Sequence, residues 1–251
     1  MPHADPERCP FCWGTDGPTN ELTDEDVFPL WFQRTMNELA GQPSQAHPNP
    51  WPKVTVPVCA NCNNRWLSVL ENDTSVIVKP MLVADRAKLT EAQRTTLGTW
   101  ATKIALLLDC YGTNPVVPHE YLKSLATEGS PPPDTAVWLG AHTGPLAMKS
   151  LGDVLTEIDP GGSEVPTGIK VTFSIGRLVF LVVVRFAGSA PFPAPSAAIA
   201  RALVQLWPLV PGDTRWPAGN FCFGDDGAER LREMSAGDWD LTKEPPAGDA
   251  A

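Results

Sequence analysis

Two Cys-x-x-Cys pairs carry the clearest chemistry in the chain: CPFC at 9–12 and CANC at 59–62. Two such pairs make the tetrahedral sulfur cage that suits zinc, and the two-residue gap lets backbone amides point back at the sulfurs. The 46 residues between the pairs, 13–58, exceed the spacing of a simple ribbon, so a metal here would staple the ends of a helix-bearing insertion. A structural zinc contributes on the order of 10 kcal/mol to folding, enough to hold a small unit together. For CPFC the competing chemistry is a redox dithiol. That needs a strand before it in a thioredoxin-like unit, and MPHADPER at 1–8 is too short and too polar to supply one. Iron in a rubredoxin-like cage would use the same ligands. The other two cysteines, Cys110 and Cys222, sit in apolar or aromatic stretches and read as core.

Between the pairs, TDEDVFPLW at 23–31 runs Asp24, Glu25 and Asp26 into an apolar stretch. Two readings stand side by side. Thr23 or Asp24 would cap a helix through Trp31, with Glu25 and Asp26 in its first turn where the macrodipole favours them. Alternatively, the acids form one wall of a metal site. Asn63, directly after Cys62, has the same two roles: a cap for the following helix, or a ligand.

The order CxxC, an acid followed by x, two apolar residues and Pro, then CxxC-Asn heading a helix resembles the HNH endonucleases. The likeness is greatest to those with a four-cysteine zinc and to the related phage Holliday-junction resolvases. It rests on Cys9, Cys12, Glu25 to Pro29, Cys59, Cys62 and Asn63, within the first third of the chain. The resemblance implies a ββα clasp in which Glu25 and Asn63 hold a Mg²⁺ or Mn²⁺ ion while Cys9, Cys12, Cys59 and Cys62 hold a structural zinc. Asp26 falls where the family has its general-base histidine, and KVTVPV lacks the family's middle Asn. Losing a positioned base typically costs about 100- to 10,000-fold, and an ordinary carboxylate is a poor proton acceptor at neutral pH. Asp26 could instead join Glu25 and Asn63 as a metal ligand, or His47 could swing into the base position. The resemblance therefore implies metal-dependent cleavage of DNA or RNA, of a kind found in phages and mobile loci. A non-catalytic descendant that keeps the clasp as a scaffold for protein or nucleic-acid binding is the alternative.

The rest of the chain must position these residues. With 251 residues and 43% apolar content a sizeable core is available, and 27 prolines with 20 glycines predict many short connections. The formal charge of −10 opposes broad attraction to phosphate backbones. The longest apolar run, LVFLVVV at 178–184, is far too short to cross a bilayer, and the N-terminus lacks a secretory pattern, so a cytoplasmic protein is expected. The spacing predicts a helix within 28–40, a strand over 53–58 entering Cys59, and a helix after Cys62. LTEAQRTTLGTWATKIALLLDCYG starts with a Thr90–Gln93 capping box and keeps Leu97, Trp100, Ile104 and Leu107 on one face. A second helix covers 118–127, with Pro118 at its start and Gly129 beyond its end. AVWLGAH, LAMKSLGDVLTEI, IKVTFSI and LVFLVVVRF read as strands, the last two joined by a hairpin at Gly176 and Arg177. ALVQLWPLV adds an edge strand or short helix, and GAERLREMSAG a late helix. The fold class is α+β: a zinc-stapled ββα unit over 1–82, a helical and antiparallel-sheet region over 83–242, and a tail at 243–251.

Overall fold

TVPVC alternates small β-branched residues, and it forms strand β2 (Thr55–Cys59) with Val56 and Val58 buried. Its partner is β1 (Leu22–Asp26), the acid run itself, paired antiparallel with Leu22 opposite Cys59 and Asp26 opposite Thr55. The acids therefore lie in a strand, not in the first turn of a helix. Asp and Glu have poor strand propensity, and the ladder to β2 overrides it. The helix that follows, α1 (Leu30–Leu39), starts only after Pro29, whose carbonyl accepts from the Phe32 and Gln33 amides. The structure, a computed structural model, describes residues 5, 7–17, 20–39, 41, 53–143, 148–189, 201–219, 222–224 and 231. The loop carrying His47, the late helix apart from Leu231, and the tail at 243–251 lie outside the described residues.

After β2 the chain turns helical at once. A short α2 (Ala60–Cys62) runs through a π-turn (Asn63–Leu67) into α3 (Ser68–Val83). Strand β3 (Ala87–Leu89) then leads to the longest helix, α4 (Glu91–Tyr111), whose N-terminus carries the predicted capping box between Thr90 and Gln93. Its residues from Leu97 to Leu107 are buried throughout, so this helix is the axis of the molecule rather than a surface element. Helix α5 (His119–Glu128) follows Pro118 and stops at Gly129, whose φ of 64° is the left-handed conformation that closes a helix end.

The second half is a five-stranded antiparallel sheet, in spatial order β5-β6-β7-β4-β8, formed by β4 (Thr135–Ala141), β5 (Met148–Ile158), β6 (Glu164–Ile175), β7 (Leu178–Arg185) and β8 (Val204–Trp207). The hairpin at Gly176 and Arg177 is present, with Ile175 opposite Leu178. A short β9 (Thr214–Trp216) pairs antiparallel with β3. The architecture is α+β with antiparallel sheets. One face of the large sheet packs on α4 through Phe173, Phe180 and Trp100, whose rings lie 4.9 to 6.2 Å apart. That buried cluster is continuous with Cys9, Phe11, Val58 and Cys62, so the cysteine region and the sheet share one core. Among the described residues no helix is long and apolar enough to cross a membrane.

Candidate metal centre

The first knuckle is a tight turn closed by the Cys9 amide on the Gly14 carbonyl at 2.8 Å and the Trp13 amide on the Cys9 carbonyl at 2.8 Å. Trp13 takes φ 61°, a conformation unusual for a bulky residue, and its ring packs tilted against His119 with centroids 4.3 Å apart. A side chain at Gly14 would meet Cys12 Sγ at 3.3 Å, so the turn is built around a residue without one. The second knuckle lies where β2 becomes helix: Cys59 Sγ caps α2 by accepting the Cys62 amide at 3.4 Å. The β1–β2 ladder then brings the two knuckles together.

All four sulfurs, those of Cys9, Cys12, Cys59 and Cys62, lie within 4.8 Å of one another, and Cys12 Sγ is 3.6 Å from Cys59 Sγ. A tetrahedral cage with Zn–S bonds of about 2.3 Å needs sulfurs about 3.8 Å apart, whereas a disulfide needs about 2.05 Å. The cysteines are therefore close enough to bind a metal such as zinc, and they are not paired as disulfides. Three are buried and Cys12 is exposed. A hydrogen bond from Cys62 pulls the Cys9 thiol down to about 4, and the same bond together with burial pushes Cys62 up. Burial also pushes Cys12 up. Thiolates packed this closely repel one another, and a bound metal dication would offset that repulsion. No other group of three or more His, Cys, Asp or Glu donors gathers at metal-binding distance among the described residues.

The oxygen set is arranged differently. Alternation along β1 puts Thr23 and Glu25 on one face of the hairpin and Asp26 on the other. Asn63, at the start of the π-turn, sits over the Thr23 side and donates its amide to Thr23 Oγ1 at 3.0 Å, while Thr23 Oγ1 donates to the Val58 carbonyl. Glu25 is buried, and its Oε1 accepts from Lys103 Nζ at 2.8 Å. The ammonium also donates to Glu71 Oε1 at 3.0 Å, and Glu71 accepts from two indoles, Trp31 Nε1 at 2.8 Å and Trp100 Nε1 at 3.0 Å. Lys103 has no exposed side-chain surface. Burial alone would lower its pKa, but the charges of Glu71 and Glu25 outweigh burial and hold it above the ordinary lysine value. Glu25 and Asn63 thus flank one face of the hairpin, and the cation on Glu25 there is Lys103.

No protein-family model, curated protein or solved structure matches this chain. The functional reading therefore rests on the residues alone.

Lys103 and Glu71 were missed by motif reading, yet the sequence carries a signal for both. Lys103 lies on α4 three residues after Trp100 and four before Leu107, on the apolar stripe; Glu71 lies on α3 between Leu67 and Thr74, again on the buried side. A charge on an apolar stripe requires a buried partner of opposite sign, and these two supply each other. Other aromatic, basic and imidazole side chains have packing roles. Trp100 and Trp138 are buried and Trp66 is partly buried against Phe11, with ring centroids 4.9 Å apart. Arg177 pairs with Asp85, and Arg185 with Glu157 and Thr167. His142 is buried, its Nδ1 3.3 Å from the Gly176 carbonyl.

Proposed function

We propose that the chain is a zinc-stabilised binding or scaffold protein in which an HNH-like clasp is kept for its shape and not for catalysis. The observation that carries this reading is Lys103 Nζ, seated between Glu25 Oε1 at 2.8 Å and Glu71 Oε1 at 3.0 Å. A metal-dependent nuclease needs its carboxylate lone pairs open to a partly hydrated dication that polarises the phosphate. Here the carboxylate assigned to that ion is neutralised by a lysine from another helix, and Asp26 stands on the opposite face of the strand with no imidazole at its position. Zinc on Cys9, Cys12, Cys59 and Cys62 supports the fold by joining the N-terminal turn to the β2–α2 junction.

The second reading is a degenerate HNH endonuclease using Mg²⁺ or Mn²⁺. One observation favours it: β1 and β2 pair antiparallel, with α1 inserted between them, and β2 leads into a helix that sets Asn63 over the same face as Glu25. One experiment separates the two. Elemental analysis of the purified chain finds one zinc per molecule, chelation lowers the melting temperature, and plasmid incubated with protein and Mg²⁺ or Mn²⁺ stays intact. Nicking that disappears in Glu25→Gln and Asn63→Ala would establish the nuclease instead. Absence of bound metal, with no effect of chelator, would remove the basis of both.

A further inference from the structure

Helix α3 turns an apolar line outward. Val69, Val76 and Val83 recur every seven residues and stand 59%, 74% and 62% exposed. At about 100° per residue, successive members of the line differ in direction by only about 20°. Leu70, Thr74, Val78, Met81 and Leu82 are buried on the opposite side, which makes the valines the residues of α3 furthest from the core. The solvent line of a helix is normally polar, and β-branched valine is a weaker helix former than alanine, lysine or glutamate. Neither helix propensity nor hydration therefore accounts for three valines at these positions.

Two charges flank the line in a self-complementary order. Asp73 comes three residues before Val76 and Lys79 three residues after it, and both are exposed. Among the described residues neither forms an ion pair; the Lys79 ammonium lies over the Trp31 ring, 5.9 Å from its centre. A twofold axis at Val76 with the helices antiparallel sets Val69 opposite Val83 of a second copy. The same axis brings each Asp73 level with a Lys79 of the other copy, at about one Debye length. Parallel helices would instead set Asp73 level with Asp73 and Lys79 with Lys79, and like charges oppose the contact. The charge order thus favours the antiparallel pairing. A helix of 16 residues is about 24 Å long, so one helix pair lies at the small end of specific interfaces and gives a weak dimer.

We infer that the outward face of α3 is a homodimer contact, in which a second copy of the chain lays its own α3 antiparallel along Val69, Val76 and Val83. The contact lies on the side of the helix away from Glu71 and depends on neither the zinc nor the HNH-like reading.

The test is sedimentation equilibrium of the full chain at low ionic strength, from about 1 μM to about 1 mM. The wild-type chain passes from monomer to dimer with a Kd of roughly 10–100 μM. Val76→Glu sets two carboxylates against each other on the twofold axis and leaves a monomer throughout. Asp73→Lys weakens the dimer about threefold by bringing lysine level with lysine, and adding Lys79→Asp restores the wild-type affinity. All three positions are exposed, so melting temperatures at about 1 μM, where every form is monomeric, stay near the wild-type value. A wild-type chain still monomeric at about 1 mM overturns the inference, as does a dimer that survives Val76→Glu. So does Asp73→Lys that dimerises like the wild type, because parallel helices would only exchange one like pair for another. A Val76→Glu chain that melts far below wild type at about 1 μM overturns it by showing that a segment of the same chain lies on the valines. A monomer that cosediments with phosphatidylcholine vesicles overturns it in favour of a membrane surface.

Discussion

Replacing Lys103 with Met keeps the length of the side chain and removes its charge. In the native chain the ammonium lies 2.8 Å from Glu25 and 3.0 Å from Glu71, with no exposed surface of its own and only 12% and 13% exposure of the two acid side chains. The variant leaves two carboxylates facing each other in a nearly dry site. Removing one partner of a buried ionic group typically costs about 3–5 kcal/mol. For a chain of this size that is a fall of roughly 6–20 °C in melting temperature. The fall measures the stranded acids rather than the worth of the lysine. Adding Glu25→Gln and Glu71→Gln to Lys103→Met therefore recovers part of it, because no charge is left uncompensated, while the single amide oxygen at position 71 keeps only one of the two indole bonds, from Trp31 or Trp100. The assay is thermal unfolding of the single and triple variants by circular dichroism at neutral pH, with and without Mg²⁺. Two indole donors already occupy Glu71, so Mg²⁺ leaves the single variant unchanged. A single variant within about 1 kcal/mol of wild type would refute the argument that this cation holds the site together. A melting temperature restored by Mg²⁺ would return Glu25 to metal-binding duty.

The remaining predictions concern pH, the sheet and the helix start. The Lys103 pKa is raised in the folded chain, so its stabilisation is complete below the unfolded-state value of about 10.5 and fades as pH climbs through the higher folded value. Alkaline titration of the melting temperature shows this extra loss in wild type and lacks it in the triple variant. Gly168→Ala places a methyl group against the Val184 carbonyl and within 3.2 Å of Arg185 Cα, so it disrupts the β6–β7 pairing and lowers the yield of folded protein in a solubility and near-ultraviolet dichroism assay. Thr90→Ala removes one half of the capping box on α4 and costs about 1 kcal/mol in urea unfolding.

The cysteine cluster was legible because its members come in local pairs whose geometry is almost independent of the fold around them. The capping box at Thr90 and the left-handed close at Gly129 were legible for the same reason: each is complete within a few residues. The strand character of Leu22–Asp26 was not, since nothing in LTDED favours extension until TVPVC lies beside it, and the two are separated by an insertion whose length the pattern does not constrain. The partner of Glu25 was equally hidden, being 78 positions away on a helix that periodicity places in the core without saying which strand it meets. The boundary near 82 followed from the cysteine distribution. The packing crosses it, for Lys103 joins β1 to α4 and Trp31 joins α1 to α3 through Glu71.

The π-turn at Asn63–Leu67 sets an angle. Each α-helical residue advances about 100° around the axis, and a turn closed one residue late shifts everything after it by about that amount. Ser68 closes this turn on the Asn63 carbonyl, five residues back. The upstream end of the rod is thereby aimed at the hairpin, through Cys62 and Asn63, while Glu71 downstream is aimed at the long central helix. Deleting a single residue between Asn64 and Leu67 would straighten the coil and turn its two ends out of phase, so that the cysteine sulfurs and the carboxylate could not both meet their neighbours.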